Sequence, residues 1–337
     1  MQPSMRDVAE RAGVSVGTVS NVLNRPDRVA ESTREQVLAA ISELGFVRNS
    51  SAAQLRAGTS RSLGLIVLDL ANPFFHDVAR GVEDAAEGAG YAVILCNSDE
   101  QARREDRYLQ VLEEQRVRGV LITPVQVGSE RLDALRRRGT PTVLVDRHDP
   151  RANCCSVAVD DVAGGELAGT CLTGQGHQRI AYVTGPLKIR QCADRLAGLR
   201  RAVAASGADP DKVITVAEVP ALNAKTGYAA ARELFDGSAS EITAAFCAND
   251  LLALGVLRAA VSTGRRVPED IALLGYDDID FAADAAVPLS SVRQPRRQIG
   301  RTAAQLLIEE CDDPETHAHQ QVMFKPELVI RESTGAP

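Results

Sequence analysis

The 337-residue chain has no tryptophan, only 4% aromatic residues, and no CxxC spacing among its seven cysteines. An odd cysteine count without paired spacing excludes a disulfide frame or a zinc finger, so Cys96, Cys154, Cys155, Cys171, Cys192, Cys247 and Cys311 read as reduced thiols, mostly in apolar stretches. The vicinal Cys154 and Cys155 also admit an oxidant-sensing role, with ordinary packing preferred. Long apolar runs are missing: Leu63 to Leu70, among the longest, stops at eight residues, short of the roughly 18 to 20 that a membrane span needs. The opening MQPSMRDVAERAGVS turns charged at once, unlike a secretory signal, which predicts a cytoplasmic protein with no membrane partner. No GxSxG, Walker A or HExxH string occurs, and His76, His148, His177, His317 and His319 form no triad or ligand set, so the chain does not read as an enzyme. His317 and His319, near Cys311, Asp312 and Asp313, could grip a metal, but DDPETHAHQ reads better as a solvated loop before the final strand. Neither metal nor cofactor is expected. Lysine is scarce, four against 34 arginines, a codon-composition bias that is silent on function.

What is present is an ordinary globular balance, 45% hydrophobic and 25% charged, which excludes wholesale disorder and fibrous repeats. At roughly 100 to 200 residues per domain, the length predicts two or three folded units. The formal charge of −7 argues on average against a nucleic-acid partner, but the charge is segregated. Residues 1–61 carry eight arginines against six acidic side chains, a small basic module on an acidic body.

Within that module, Met5, Val8, Ala9 and Ala12 recur at helical spacing and Gly13 stops the helix. Ser15 is a good N-cap for a second helix, Val16 to Leu23, whose Val19, Val22 and Leu23 form one apolar edge. Ala9 is small where the two helices cross, and Gly13 can take the left-handed backbone of a tight turn. A third helix is predicted from about Ser32 to Leu44, opened by Glu31-Ser32-Thr33 and closed by Gly45. A generic three-helix bundle shares this pattern. The outward face of the second helix favours a DNA reader, because Val16, Gly17, Thr18, Ser20 and Asn21 are short and neutral, without the Glu and Lys of an idle solvated face. Thr18 and Ser20 suit phosphates, Asn21 an adenine edge and Val16 a thymine methyl.

The string DVAERAGVSVGTVSNVLN, Asp7 to Asn24, resembles the DNA-binding signature of the lactose and galactose repressor family of bacterial regulators, and the likeness continues through VAESTREQVLAAISELGFVRNSSAAQLRAG. The resemblance implies a helix-turn-helix head over residues 1–49, with Ser15, Val16, Gly17, Thr18, Ser20, Asn21 and Asn24 on double-stranded operator DNA. It implies a hinge helix and linker over 50–61 that folds when two subunits lie side by side on DNA, with Ala53 and Leu55 at the minor groove and Leu55 wedged into a base step.

From Leu63 onward, short strands (LGLIVLDL, YAVILC, GVLIT, PTVLVD) alternate with helices predicted over about 74–89, 103–116 and 129–137. A second run holds SVAV, RIAYVTG, VITVAEV, AAFCAND and IALLGYDD, with helices over about 161–173, 191–205, 223–235 and 250–262. These runs predict an α/β body of two doubly wound lobes over 62–337 behind the all-α head. Ligands of such sheets sit beyond the carboxyl ends of the strands, and those ends are polar: Asn72, Asp146-Arg147, Asp160, Asn249-Asp250 and Asp277-Asp278. Each alone is ordinary loop chemistry; together they suit bidentate bonds to vicinal hydroxyls, with Phe74 and Phe75 as apolar faces for a sugar ring. Gly164-Gly165 and Gly174-x-Gly176 read as packing and turn glycines rather than a dinucleotide loop.

The body resembles the sugar-binding domain of the same repressor family and, by shared fold, the periplasmic ribose-binding proteins. The resemblance implies that Asn72, Phe74, Phe75, Asp146, Arg147, Arg195, Asn249, Asp277 and Gln294 hold a ribose-like sugar, and that Asp160 is the acidic effector contact of lactose-type members. Leu222 stands where several members set an aromatic against the sugar, and Val159 replaces a polar group, so the resemblance defines an effector class and not one compound. The expectation is a homodimeric repressor whose operator affinity is controlled by a small sugar bound between two lobes, without the leucine heptads that make some members tetramers. The alternatives are a corepressor-dependent regulator of the same family and a plain sugar-binding protein, which would have no use for the head.

Overall fold

The computed structural model describes residues 3–46, 60–125, 130–149, 153–236 and 241–335. The chain divides into two compact units, Met1–Ser60 and Arg61–Pro337. In the first, α1 (Met5–Arg11) is opened by a capping box: Ser4 Oγ accepts from Asp7 N while the Asp7 carboxylate accepts from Ser4 N. Gly13, at φ +64°, makes the turn. Ser15 Oγ then accepts from Thr18 N at 3.0 Å to cap α2 (Val16–Asn24). The third helix, α3 (Glu31–Leu44), begins a residue earlier than its spacing predicts, after Ala30 and without any side-chain cap, so the hydroxyls of Ser32 and Thr33 do not open it. Val8, Ala9, Val19, Val22, Val37 and Ala40 close the small core.

The second unit starts with β1 (Ser62–Val67), α4 (Pro73–Gly88), β2 (Ala92–Asn97), α5 (Ala102–Glu114), β3 (Gly119–Ile122), α6 (Glu130–Arg137), β4 (Thr142–Val145) and β5 (Cys155–Val159). Next come α7 (Asp161–Gly174), β6 (Ile180–Thr184), α8 (Arg190–Ala205), α9 (Pro210–Val213), β7 (Ile214–Glu218), α10 (Ala224–Asp236), β8 (Ala244–Cys247), α11 (Asp250–Ser262) and β9 (Ala272–Asp277). The chain finishes with α12 (Asp280–Ala283), β10 (Ser290–Arg293), α13 (Arg296–Asp312), β11 (Gln321–Phe324) and β12 (Glu327–Val329). Two six-stranded sheets result, ordered β11-β5-β4-β3-β1-β2 and β12-β10-β9-β8-β6-β7, every neighbour parallel except β12 on β10. Strands β3, β4, β5, β6, β8 and β9 are buried at every position, as a sheet with helices on both faces requires, whereas edge strands β2 and β7 keep exposed positions.

One expectation is corrected. The strand SVAV, which the alternation predicts to open the second run, is β5 of the first sheet, parallel to β4 on one side and to β11 on the other. Alternation of strand and helix records that a strand forms, not which sheet it joins. The chain crosses between lobes three times, after β5, after β10 and after β11.

Helix pairs close on facing glycines. A Cβ on Gly81 of α4 would lie 2.0 Å from Arg297 O of α13, and one on Gly300 would lie 1.9 Å from Val78 O. Gly165 of α7 and Gly198 of α8 repeat the device in the second lobe, with clashes at 2.1 Å on Arg195 O and 2.0 Å on Val162 O. Gly165 is thus a packing glycine, as predicted, and Gly176 a turn glycine at φ +85°.

Glu105 on α5 is buried, and its carboxylate accepts from Val125 N at 2.6 Å, tying down the loop after β3. Burial pushes the carboxyl up to about 7 despite that bond. Between the ordinary glutamate value and 7 the native state holds a proton that the unfolded chain has released, so this group's contribution falls as pH rises through that window. Glu105→Gln keeps an acceptor for Val125 N and carries no charge. It is expected to raise unfolding free energy by about 1–3 kcal/mol at pH 8 and to change it little at pH 4, read from urea melts at both pH values. Equal stabilisation at both would remove the charge as the cause.

Candidate functional site

In each sheet the strand order reverses at one strand: β1 lies between β2 and β3, and β6 between β7 and β8. A crevice opens at such switch points, beyond the carboxyl ends of the strands. A cavity is lined from the first lobe by Leu68, Asp69, Asn72, Phe74, Phe75, Glu100 and Asp146. The second lobe contributes Ile189, Gln191, Cys192, Arg195, Leu222, Asn249 and Asp277, and Gln294 follows β10. An apolar lining with a few convergent polar groups suits a small organic ligand.

Several polar lining residues do two jobs. Asn72 caps α4, its Oδ1 accepting from Phe74 N at 3.0 Å, while its Nδ2 donates across the cleft to Asp277 Oδ2 at 3.1 Å. Asn249 caps α11 and donates to Leu222 O at 3.1 Å, which fixes the loop carrying Leu222. Asp277, at φ +102°, also accepts from Gln294 Nε2 at 2.7 Å. Phe74 and Phe75 pack edge to face, ring centres 5.0 Å apart.

Arg195 organises the charge. It is buried on α8, its Nε donates to Asp161 Oδ1 at 2.8 Å, Nη1 donates to Ala248 O, and the guanidinium stacks 3.6 Å above the Tyr276 ring. Burial alone would lower Arg195, but Asp161, Tyr276, Asp277 and Asp146 hold it well above the usual arginine value. Burial, reinforced by Asp161, pushes Asp146 up to about 7 against the pull of Arg195 and Gln191. Asp146 can therefore meet a ligand hydroxyl either as donor or as acceptor near neutral pH. Gln191 Nε2 donates to both the backbone O and Oδ2 of Asp146, at 2.8 and 2.9 Å. The Oε1 atoms of Gln191 and Gln294 are buried acceptors with no donor among the described residues, which suits a polyhydroxyl ligand.

The cavity gathers nine of the eleven effector positions drawn from the sequence, and two go elsewhere. Arg147 is buried at the end of β4 but does not line the cavity; its Nη2 donates to Pro124 O at 3.2 Å. Asp160 caps α7 through Ala163 N at 2.9 Å and lines a different groove, with Lys325 and Pro326. The acid turned toward Arg195 is its neighbour Asp161, one residue into the helix. Gln191, Asp161, Glu100 and Tyr276 escaped the sequence reading. Asp161 and Gln191 sit at helix starts next to strand ends, the one signal that would have found them. Asp250 and Asp278 prove structural: Asp250 accepts from Ile279 N and Ser291 Oγ, and Asp278 pairs with Arg293 and Arg331.

On the head, Ser15, Val16, Gly17, Asn21 and Asn24 are exposed and Thr18 and Ser20 half-buried, a neutral face opposite the buried Val19 and Val22. Val16 is 43% exposed, a solvent-facing apolar side chain on a helix otherwise free to bury it. Thr18 Oγ1 lies 2.9 Å from Ser15 Oγ, and Asn24 Nδ2 donates to Ser20 O at 2.8 Å, so these polar groups are positioned before any partner arrives. Ala53 and Leu55 lie outside the described residues.

Residues 4–49 match the family of bacterial regulatory proteins, lacI family, and residues 170–334 match the periplasmic binding protein-like domain. A curated relative, the HTH-type transcriptional repressor PurR of Photobacterium profundum, is 33% identical over 335 residues, covering 98% of each chain. Among solved structures, a lac repressor dimer bound to operator and an anti-inducer is 28% identical, covers 100% of both chains and superposes with a TM-score of 0.84. A LacI family regulator from Enterococcus faecium with bound ribose is 29% identical, over 81% of this chain and 98% of that one, with a TM-score of 0.75. With a full-length repressor relative, a matching head and the two-lobed body in place, the chain belongs to the lacI family of bacterial transcriptional regulators.

Proposed function

We propose that the protein is a homodimeric repressor whose affinity for operator DNA is set by a small ribose-like sugar bound between its lobes. The observation that carries this reading is the cleft itself. Asn72 from one lobe meets Asp277 of the other at 3.1 Å, beside Arg195, Asp146, Asn249 and Gln294, with Phe74 and Phe75 as the apolar wall. Paired carboxylates, amides and a guanidinium on one side and rings on the other form the recognition chemistry of a sugar. Leu222 supplies an aliphatic rather than an aromatic face, so the ring is held chiefly by its hydroxyls. Ribose in the Enterococcus faecium regulator supports the same ligand class.

A ligand that bridges both lobes binds their closed arrangement more tightly than the open one, and it can shift DNA affinity only by that difference. The two heads of a dimer would read the half-sites of a near-palindrome, with Val16, Gly17 and Asn21 in the major groove and Leu55 at the centre. Fluorescence anisotropy on a labelled palindrome from the gene's own upstream region, at fixed salt, tests this. One pentose, hexose or sugar phosphate is expected to release the DNA. A compound that tightens binding would instead make the switch a corepressor's. Asn21→Ala is expected to weaken specific binding about 10- to 100-fold and nonspecific binding little. Equal loss on specific and random duplexes would take Asn21 off the base edges.

A further inference from the structure

Away from the cleft, one cluster among the described residues joins potential metal ligands from two distant stretches of the first lobe. Cys155 opens β5, Glu310 lies in the last turn of α13, and His317 stands in the loop before β11. Their ligand atoms all lie within 4.8 Å of one another, with Cys155 Sγ 3.1 Å from His317 Nε2. In the sequence the histidine pair lies beside Cys311, in a stretch that reads as a solvated loop. The fold brings His317 to Cys155 instead, 162 residues away along the chain.

We propose that Cys155, Glu310 and His317 form a binding site for a borderline-soft divalent cation of the zinc type, with water in the fourth position. The donor set is what such a cation takes: a sulfur, an imidazole nitrogen and a carboxylate oxygen, at about 2.0 to 2.3 Å each. Tetrahedral ligands then stand roughly 3.3 to 3.6 Å apart, so the present spacing needs only a side-chain rotation of Glu310 or His317. Charge balances as well, because a thiolate and a carboxylate together cancel two positive charges in a half-buried setting. Glu310 Oε2 is buried with no hydrogen-bond donor among the described residues, an acceptor that a cation would satisfy.

The surroundings have the form of a supporting shell. His319 Nε2 lies 3.4 Å from Glu310 Oε1, while its Nδ1 lies 3.2 Å from Asn153 Oδ1, so His319 is a positioning residue that aims the carboxylate. Burial pushes the Cys155 thiol up, and Gln320 N, which donates to Cys155 Sγ at 3.2 Å, opposes it in part. Cys154 points to the opposite face of the sheet, into another part of the core, so the two adjacent cysteines do not act as a pair. Binding the cation releases the Cys155 thiol proton and forms the metal–sulfur bond, with no redox change. The bound cation would pin β5, where the chain leaves the first lobe, to α13 and the loop that follows, where it returns.

Full-length, untagged protein stripped with chelator and titrated with Zn²⁺ against a chromophoric competitor tests the site, with Co²⁺ as the spectroscopic probe. One equivalent per chain is expected, with a cobalt–thiolate charge-transfer band. His317→Ala changes a half-buried loop residue, so it is expected to fold normally by circular dichroism while binding at least 100-fold more weakly. His319→Ala is expected to lose about 10-fold. Cys155→Ser should remove the charge-transfer band, and Cys171→Ser should keep it. Saturating Zn²⁺ is expected to raise the melting temperature of the wild type and not that of His317→Ala. No stoichiometric binding by the wild type, or unchanged affinity in folded His317→Ala, would overturn the proposal.

Discussion

Arg195→Ala is expected to abolish the response to sugar and to cost about 3–5 kcal/mol of unfolding free energy at pH 8, the range for removing one partner of a buried ion pair. The size follows from what Arg195 faces. Its bond to Asp161 at 2.8 Å joins two side chains that are 7% and 10% exposed. Burial already pushes Asp161, Asp146 and Asp277 up, and in each case the arginine opposes it. Without Arg195 all three rise further. The native state then keeps protons that the unfolded chain gives up above the ordinary aspartate range, so the variant's stability falls as pH rises from about 4. Its deficit against the wild type should therefore be largest at pH 8 and shrink toward pH 4, as urea melts across that range would show. Asp161→Asn added to Arg195→Ala removes one stranded charge and is expected to recover part of the stability, but none of the sugar response. A normal sugar response in Arg195→Ala would remove Arg195 from the effector site. A deficit independent of pH would mean that lost packing, and not lost charge, does the damage.

Much of this arrangement was legible in the sequence, and the parts that were not share a cause. Helices and strands followed from short-range periodicity. The predicted 103–116, 191–205 and 250–262 helices appear as Ala102–Glu114, Arg190–Ala205 and Asp250–Ser262. Helix α13 went unread although Ile299, Ala303, Ala304, Leu307 and Cys311 mark its buried face, because no strand signal of comparable clarity follows it. At the strand ends, polar residues have two possible employments, helix cap or ligand contact. Asn72 and Asn249 serve as caps and also line the cavity, whereas Asp160 only caps on the cavity's side and Asp161, one position later, faces Arg195. A rotation of about 100° per helical residue separates those two fates, and it depends on where the helix starts. Pairings such as Cys155 with His317 or Asn72 with Asp277 are set by which sheet a strand enters, which local pattern does not encode.

Gly198→Ala should be nearly as severe as loss of Arg195, though it adds only a methyl group. Gly165 and Gly198 allow α7 and α8 to touch backbone to backbone, and that contact brings Asp161, in the first turn of α7, to Arg195 on α8. A Cβ on Gly198 would stand 2.0 Å from Val162 O, where real contacts do not fall below 3.0 Å, so the helices must part by at least about 1 Å. The hydrogen bond from Arg195 to Asp161 would then stretch from 2.8 Å past its useful range while both groups stay buried. Overpacking of this kind costs about 1–3 kcal/mol or more, and the loosened pair adds to it. Two other glycines separate the terms. Gly174→Ala, at the far end of α7 with open space around it, is expected to be neutral or slightly stabilising. Gly81→Ala meets Arg297 O at 2.0 Å in the first lobe, so it should lose comparable stability yet hold sugar better than Gly198→Ala, since it leaves Arg195 in place. Calorimetric titration of the three variants with the cognate sugar, beside their urea melts, reads both quantities. If Gly198→Ala and Gly81→Ala weaken sugar binding equally, the α7–α8 contact does not set Arg195, and the guanidinium is held by Ala248 and Tyr276 alone.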